Sequence, residues 1–394
     1  MQNDRVLIVG AGPVGLAAAM FLVERGVRVL VLEAEPSLCE DMRASTFHPA
    51  TLDLLAPSGI ADALIGQGHR ADKWQYLNFE TGDRVVFNLG VLEGLTRHPF
   101  RLQCEQFRLT RQILETLAGN DLFEIAFNAQ VSAVGQDDSG AWVELADGQS
   151  LRGSYVVAAD GGRSTARKTL NLPFEGETYP KTSITVVVDH DFSARFDGVL
   201  FVNYVWTADD HFSLMRVRDH WRVGFSPQAG QSVEDAVSEE GVNARLKALF
   251  PRDEDYRLVH IGWYSVHRRV IDKFNHGRIL FAGDAAHLNS PAGGMGMNSG
   301  VHDAHELAVQ LAAVLNGGDP DLLDLYDRRR RTIAVDEVQA QSDRNYRRHR
   351  EKDPAKRVEI WKEFQRLTAS DDVMRDYLFR SSMLASLERA AAIS

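Results

Sequence analysis

Cysteine is almost missing from this chain. Cys39 and Cys104 are the only two, too few for a disulfide framework, so a fold held by covalent staples is excluded. Long apolar runs are missing too: no segment approaches 18 uninterrupted hydrophobic residues, and no membrane span is expected. There is no excess of basic charge. Lys and Arg total 44 against 55 Asp and Glu, a formal net charge of −11, which gives no footprint for a nucleic acid partner. The cluster Arg328 to Arg331 reads as a solvated helix face. No P-loop, nucleophile elbow or Ser/His/Asp order occurs. His302 and His305 with Asp303 and Glu306 lack the HExxH spacing of a metal site; they read as polar residues at the start of an amphipathic helix, and no metal is expected. His287 reads as a packing residue. With a first strand expected from Arg5, no signal peptide is expected and the location is read as cytoplasmic.

What is present is glycine at chosen places. The chain has 394 residues and 44% hydrophobic content, enough for one large α/β unit with a second domain, or for two domains. Residues 5–9 form an apolar run typical of a buried parallel strand. Gly10, Gly12 and Gly15 follow with distinct expected tasks: a tight turn, close backbone approach to a pyrophosphate, and close packing of the next helix on the strand. Residues 16–25 read as that helix, with Gly26 as its stop. Residues 27–32 read as a second buried strand ending in Glu33, roughly 20 residues beyond the glycines, which suits an acid on a ribose hydroxyl. The uncapped start of the helix offers N–H groups to phosphates.

A second glycine-rich signature lies far away, at Gly283-Asp284 and again from Pro291 through Gly293, Gly294, Gly296, Met297 and Asn298. It opens a helix whose apolar positions Val301, Ala304, Leu307, Leu311 and Val314 keep helical spacing. Such a helix start, aimed at an isoalloxazine ring, would stabilise negative charge on a reduced flavin. Asp160-Gly161 stands between the two signatures. Together they point to a long dinucleotide whose far end is a flavin. Between them the texture changes over residues 182–267, where alternating runs at 184–188, 199–206, 212–217 and 221–225 read as an antiparallel sheet. Asp209-Asp210 reads as a turn. Residues 123–134, 141–145 and 151–159 read as strands, with an Asp147-Gly148 hairpin turn; residues 106–117 and 237–250 read as helices. The resulting fold class is α/β: a discontinuous Rossmann-like dinucleotide domain (1–75, 97–180 and 268–330), an inserted antiparallel-sheet substrate domain (76–96 and 181–267) and C-terminal helices (331–394).

On these motifs the chain resembles the class A flavoprotein monooxygenases, single-component FAD-dependent aromatic hydroxylases of the 4-hydroxybenzoate hydroxylase type, over roughly residues 4–330. The resemblance implies that Gly10 to Gly15 and Glu33 bind ADP. Arg43-Ala44-Ser45-Thr46 resembles the family's arginine loop, Gln106 its glutamine at a helix start, Asp160-Gly161 its DG motif, and Gly283-Asp284 its GD motif, whose acid binds the ribityl chain. The implied FAD-binding set is Gly10, Gly12, Pro13, Val14, Gly15, Glu33, Ala34, Arg43, Gln106, Val131, Asp160, Gly161, Asp284, Gly294, Gly296, Met297 and Asn298. Pro291 would wall the flavin and substrate. NADH or NADPH would be a transient co-substrate and O2 the oxidant, acting through a flavin C4a-hydroperoxide on a small aromatic substrate such as a phenol or hydroxypyridine, in a monomer or homodimer. Val205 stands where the 4-hydroxybenzoate enzyme has its carboxylate-clamping arginine, with Asn203 two residues earlier. Strand alternation then places Asn203, Val205, Phe212, Leu214 and Arg216 with Thr46 around a mainly neutral substrate pocket. The alternatives are a related FAD reductase or halogenase, the latter disfavoured by the absence of its WxWxIP signature, and a non-catalytic flavin sensor.

Overall fold

The apolar run Val6–Val9 becomes a central strand of a six-stranded sheet. Its order is Asn275–His276, Ile279–Phe281, Tyr155–Ala158, Val6–Val9, Val29–Leu32, Phe123–Ala126. All neighbours pair in parallel except the first two. The four inner strands are mostly Val, Ile and Leu because both of their faces are covered. The coordinates are a computed structural model, which describes residues 5–394 apart from 41, 43, 194–197 and 209. Helix Pro13–Val23 starts with proline at its first position and is alanine-rich and apolar on every side, as befits a helix buried between the sheet and a neighbour. That neighbour is helix Gly296–Leu315.

Two expected strands each divide. Residues 123–134 supply Phe123–Ala126 to the parallel sheet and Val131–Asp137 to a three-stranded antiparallel meander with Gly140–Leu145 and Ser150–Gly153. Residues 151–159 change sheets at Ser154, whose N–H donates to the Arg5 carbonyl at 2.8 Å. A Cβ on Gly153 would lie 2.5 Å from that same oxygen, so the crossing needs a residue without one. The expected helix 237–250 is Glu239–Leu249, and a separate short helix, Val233–Val237, precedes it, because Ser232 and Ser238 each cap a helix start.

The second large sheet has seven strands in the order Leu258–Tyr264, Ser183–Val188, Trp221–Phe225, His211–Arg216, Val202–Trp206, Lys73–Asn78, Arg84–Asn88. Only Val202–Trp206 and Lys73–Asn78 pair in parallel. One face packs Val186, Val205, Phe212, Leu214 and Val223 against Val242, Leu246 and Phe250. On the other face Trp74, Tyr76, Tyr204 and Trp206 lie with Phe364 and Leu378 of the C-terminal helices. The C-terminal segment therefore roofs the sheet rather than trailing from it. The expected boundary at 75/76 cuts strand Lys73–Asn78, and that at 330/331 cuts helix Leu322–Ile333, which continues through a π-turn to His349. We propose domain boundaries at the ends of these elements, since a hydrogen-bonded element belongs to one unit. Among the described residues no helix is long and apolar enough to cross a membrane. Asp209 of the expected turn lies outside the described residues.

Candidate active site

The carboxyl ends of the parallel strands open into one cleft of about 1180 Å³, which runs on to the seven-stranded sheet. This is where doubly wound sheets place ligands. Gly10 turns with φ +100°, and a Cβ there would meet the Ala159 carbonyl at 2.6 Å. Gly15 is not in the cleft: a Cβ on it would sit 1.9 Å from the Gly10 oxygen, so its role is close helix–strand packing. Gly12 is the opposite case, with nothing within 4 Å of where its Cβ would be. It faces the cleft beside a helix start that no described side chain caps. Glu33 accepts hydrogen bonds from the N–H groups of Ala11 (2.7 Å) and Glu35 (3.1 Å). Its carboxylate is thereby fixed at the cleft wall with lone pairs to spare. Pro13, Val14, Ala34, Gln106 and Val131 line the same stretch.

Asp160 caps the next helix, its Oδ2 accepting from Thr165 (2.7 Å) and Ala166 (3.1 Å) N–H groups. Its Oδ1 is buried and has no partner among the described residues, although Asp160 and Gly161 line the cleft. A cap and an unspent acceptor coexist in one carboxylate. Asp284 is exposed to the cleft on the short turn Gly283–Ala285. That turn is tied from behind by Asp303, whose Oδ2 accepts from Gly283 N–H at 3.1 Å and meets His287 Nε2 at 2.7 Å, while its Oδ1 accepts from Arg330 Nε at 2.7 Å. Asp303 and Arg330 are 0% and 1% exposed. Arg330 was expected on a solvated helix face and Asp303 among the polar residues at the start of an amphipathic helix; they are buried because each neutralises the other.

A second helix start without a capping side chain, that of Gly296–Leu315, brings Gly294, Gly296 and Met297 to the cleft. Asn298 lies behind it, not in it. The Asn298 side chain donates to the carbonyls of Thr46 (2.8 Å) and Gly294 (2.6 Å) and accepts from the His48 N–H (2.9 Å). It thus pins the 291–297 loop to the 44–48 segment. His48 Nε2 lies 2.8 Å from the Gly293 carbonyl. Burial, helped by Arg101, pushes His48 down to about 3, so the ring is neutral and Nε2 donates. Thr46 and Pro291 line the cleft as expected; Arg43 lies outside the described residues. An unspent acid oxygen, a bare Gly12 cradle and two uncapped helix starts along one groove fit a dinucleotide with an anionic ring at its far end.

The substrate side differs from expectation by one residue of strand phase. Asn203 is fully buried, bonded to Gln75, Leu200 and Leu214. Val205, Phe212 and Leu214 lie on the helix-covered face. The Arg216 guanidinium lies over the Trp221 ring, 5.6 Å from its centroid, outside the cleft. Facing the cleft instead are the register-matched Tyr204, Ser213, Gly224 and Thr185, with His211, Met215 and Arg222. A one-residue shift in phase moves every side chain to the other face. Arg222 donates to Ser45 Oγ at 3.0 Å. Burial lowers His211 to about 4 and takes His349 well below its usual value, so neutral imidazoles border the cleft.

Next to the cleft, and sharing Tyr204, Ala292, Gly293 and His349 with it, lies a small, partly open recess of about 20 Å³. Its far end is built by Trp74, Tyr76, Arg101, Tyr377 and Ser381. Tyr377 and Ser381 come from helix Asp371–Ser381, and no local sequence signal placed them or Arg101 in the site. Burial raises the Tyr76 and Tyr377 phenols, which stay protonated.

Known proteins share this fold. Residues 3–341 match the family model described as "FAD binding domain". The chain is 32% identical over 384 residues to para-nitrophenol 4-monooxygenase of Pseudomonas sp. (strain WBC-3), covering 95% of this chain and 94% of that one. It is 30% identical over 392 residues to 6-hydroxy-3-succinoylpyridine 3-monooxygenase of Pseudomonas putida (strain DSM 28022 / S16), covering 96% and 97%. The crystal structure of p-nitrophenol 4-monooxygenase from Pseudomonas putida DLL-E4 superposes with a TM-score of 0.90 at 31% identity, covering 98% of both chains. With a dinucleotide cleft, a second uncapped helix start at its far end and full-length similarity to aromatic monooxygenases, the chain belongs to the class A flavin monooxygenases, the FAD-dependent aromatic hydroxylases.

Proposed function

We propose that the protein uses NAD(P)H and O2 to place a hydroxyl on a phenol- or hydroxypyridine-like ring held between the 291–297 loop and the sheet face of Tyr204, Ser213 and Met215. The observation that carries this reading is the aromatic recess opening off the cleft beside that loop. The names of the two relatives, a nitrophenol and a hydroxypyridine monooxygenase, support the same ring class. FAD, when bound, supplies the redox chemistry that activates oxygen. The chain's own residues bind and orient. Glu33 would hold the adenosine ribose, the N–H groups beside Gly12 the pyrophosphate, and Asp284 the ribityl hydroxyls. The helix start at Gly296 and Met297 would stabilise negative charge at the ring end. Pro291 and Tyr204 would exclude water from the reacting face. Neutral His211 and His349, and protonated Tyr76 and Tyr377, are available as hydrogen-bond partners for a ring hydroxyl. No protein nucleophile is required.

The test is direct. Cofactor released by denaturation should chromatograph as FAD, not FMN. NADH or NADPH oxidation should rise several-fold with a hydroxylated ring present, and one labelled oxygen from 18O2 should enter the product. Failure of every phenol and hydroxypyridine to stimulate oxidation by the FAD-loaded protein would overturn the hydroxylase reading.

A further inference from the structure

Arg101 is a cation that the fold alone does not explain. It sits on strand Arg101–Gln103, between Thr46–Phe47 and His69–Ala71, and is 4% exposed. Among the described residues no carboxylate lies within salt-bridge distance of it, and its Nε has no hydrogen-bond partner. Its guanidinium lies over the Trp74 ring, 4.6 Å from the centroid. Its charge bears on His48, Tyr76 and Tyr377, none of them an anion in the folded protein. A buried charge without a counter-charge costs several kcal/mol. Such a group persists where something else supplies the anion.

The recess around it points to what that is. Two of the residues that line it carry further buried donors, Trp74 Nε1 and Ser381 Oγ, that also lack partners among the described residues. Three of the residues lining this space of about 20 Å³ thus carry a buried donor with no partner among the described residues. The space has room for one or two oxygen-sized groups and not for an aromatic ring. The ring must stay in the cleft beside Tyr204 and Ala292, which line both spaces, and send only a substituent inward.

We propose that Arg101, with Trp74 and Ser381, forms an oxyanion-reading subsite, so that the aromatic substrate binds with a negatively charged oxygen in the recess. This rests on the hydroxylase reading above and replaces the neutral pocket expected from sequence. The oxygen belongs either to the ring's own phenolate or to a carboxylate substituent; both present the same chemistry to a guanidinium fork. Arg101 is thus a specificity-determining residue in contact with substrate.

The experiment measures dissociation constants by perturbation of the bound flavin spectrum. The ligands are phenol, 4-nitrophenol, 4-hydroxybenzoate and its neutral isostere 4-hydroxybenzamide. The proteins are wild type, Arg101→Met, Arg101→Lys and Ser381→Ala, each checked for FAD content and thermal midpoint. Loss of a charge-assisted contact should weaken the best anionic ligand about tenfold to a hundredfold in Arg101→Met. Arg101→Lys should recover part of that, Ser381→Ala should lose a few-fold, and neutral ligands should change little. A carboxylate source predicts 4-hydroxybenzoate binding far above its amide. A phenolate source predicts that 4-nitrophenol binds best and tightens as pH rises through the ligand's own ionisation. Equal affinities of wild type and Arg101→Met for every anionic ring, with FAD retained, would overturn the subsite while leaving the hydroxylase intact. If Arg101→Met fails to fold, Arg101→Lys and Ser381→Ala decide: unchanged anion affinity in both overturns the proposal. Ring-stimulated NAD(P)H oxidation by wild type, run alongside, reports separately on the hydroxylase reading.

Discussion

Replacing Asp303 by asparagine should destabilise the folded protein by about 3–5 kcal/mol at neutral pH, the range for breaking one side of a buried ion pair. The structure sets the size. Asp303 is fully buried and serves three partners at once: Arg330 at 2.7 Å, His287 at 2.7 Å and the Gly283 N–H at 3.1 Å. An asparagine can keep the shape but not the charge, and Arg330, 1% exposed, would remain as a buried cation. Burial by itself would raise the Asp303 carboxyl, but His287 and Arg330 more than offset this and hold it below the usual carboxylate range. A depressed acid contributes stability that is complete above its unfolded value of about 3.9 and is lost only as pH falls toward the folded one. The effect should therefore be fully visible at pH 7. Because domain stabilities run at about 5–15 kcal/mol, urea midpoints of the FAD-free protein should fall steeply. FAD affinity should fall as well, since the Gly283-Asp284 turn loses its tie. In the double variant Asp303→Leu with Arg330→Met no buried charge is stranded, and the protein should be more stable than Asp303→Asn alone. A single variant with native midpoint, or a double variant that simply adds two losses, would refute the reasoning.

Gly12 and Gly15 should separate binding from folding. Gly12→Ala should keep native stability, because its Cβ meets nothing within 4 Å, yet lose FAD affinity; Gly15→Ala should lose stability with or without FAD, because its Cβ falls 1.9 Å from the Gly10 oxygen. Calorimetry and flavin titration check both, and equal behaviour of the two would refute the division. Stability should also fall on mild acidification. Burial lowers His48 to about 3 and His211 and His305 to about 4, and takes His302 and His349 well below their usual value. Below about 6.5 the unfolded chain takes up protons that these folded sites refuse, at about 1.4 kcal/mol per pH unit per histidine; a flat denaturation profile from pH 7.5 to 5 would count against it. Asn203→Ala should cost about 1–3 kcal/mol by stranding buried donors and leave ring binding unchanged, whereas Ser213→Val should alter ring affinity at native stability. Ligand titrations of the two variants test this, and a loss of ring affinity in the first would return Asn203 to the pocket.

Local motifs wrote the cofactor side of this protein in the sequence itself. Gly10, Gly12, Gly15 and Glu33 act within one βαβ unit, where strand, turn and helix follow from a few adjacent residues. Gly283, Asp284 and the 291–297 loop are likewise a strand end and a helix start. The sheet was legible as a sheet but not in its phase. Every residue of Val202–Trp206 is buried, because helices cover both faces, so alternation cannot tell the side of Asn203 from the side of Tyr204. The expected phase then put the wrong set in the pocket. Charge was misleading in the same way: Arg330 reads as part of a solvated helix face and Asp303 as a polar residue at a helix start, and they become core residues only as a pair, 27 positions apart. The recess lies furthest from what a sequence can reveal. Trp74, Arg101, Tyr204 and Ser381 come from four elements, and only the packing of the C-terminal helices on the sheet's aromatic face makes one site of them. Neighbours along the chain decide turns and caps; which buried donors share a cavity is decided by long-range packing.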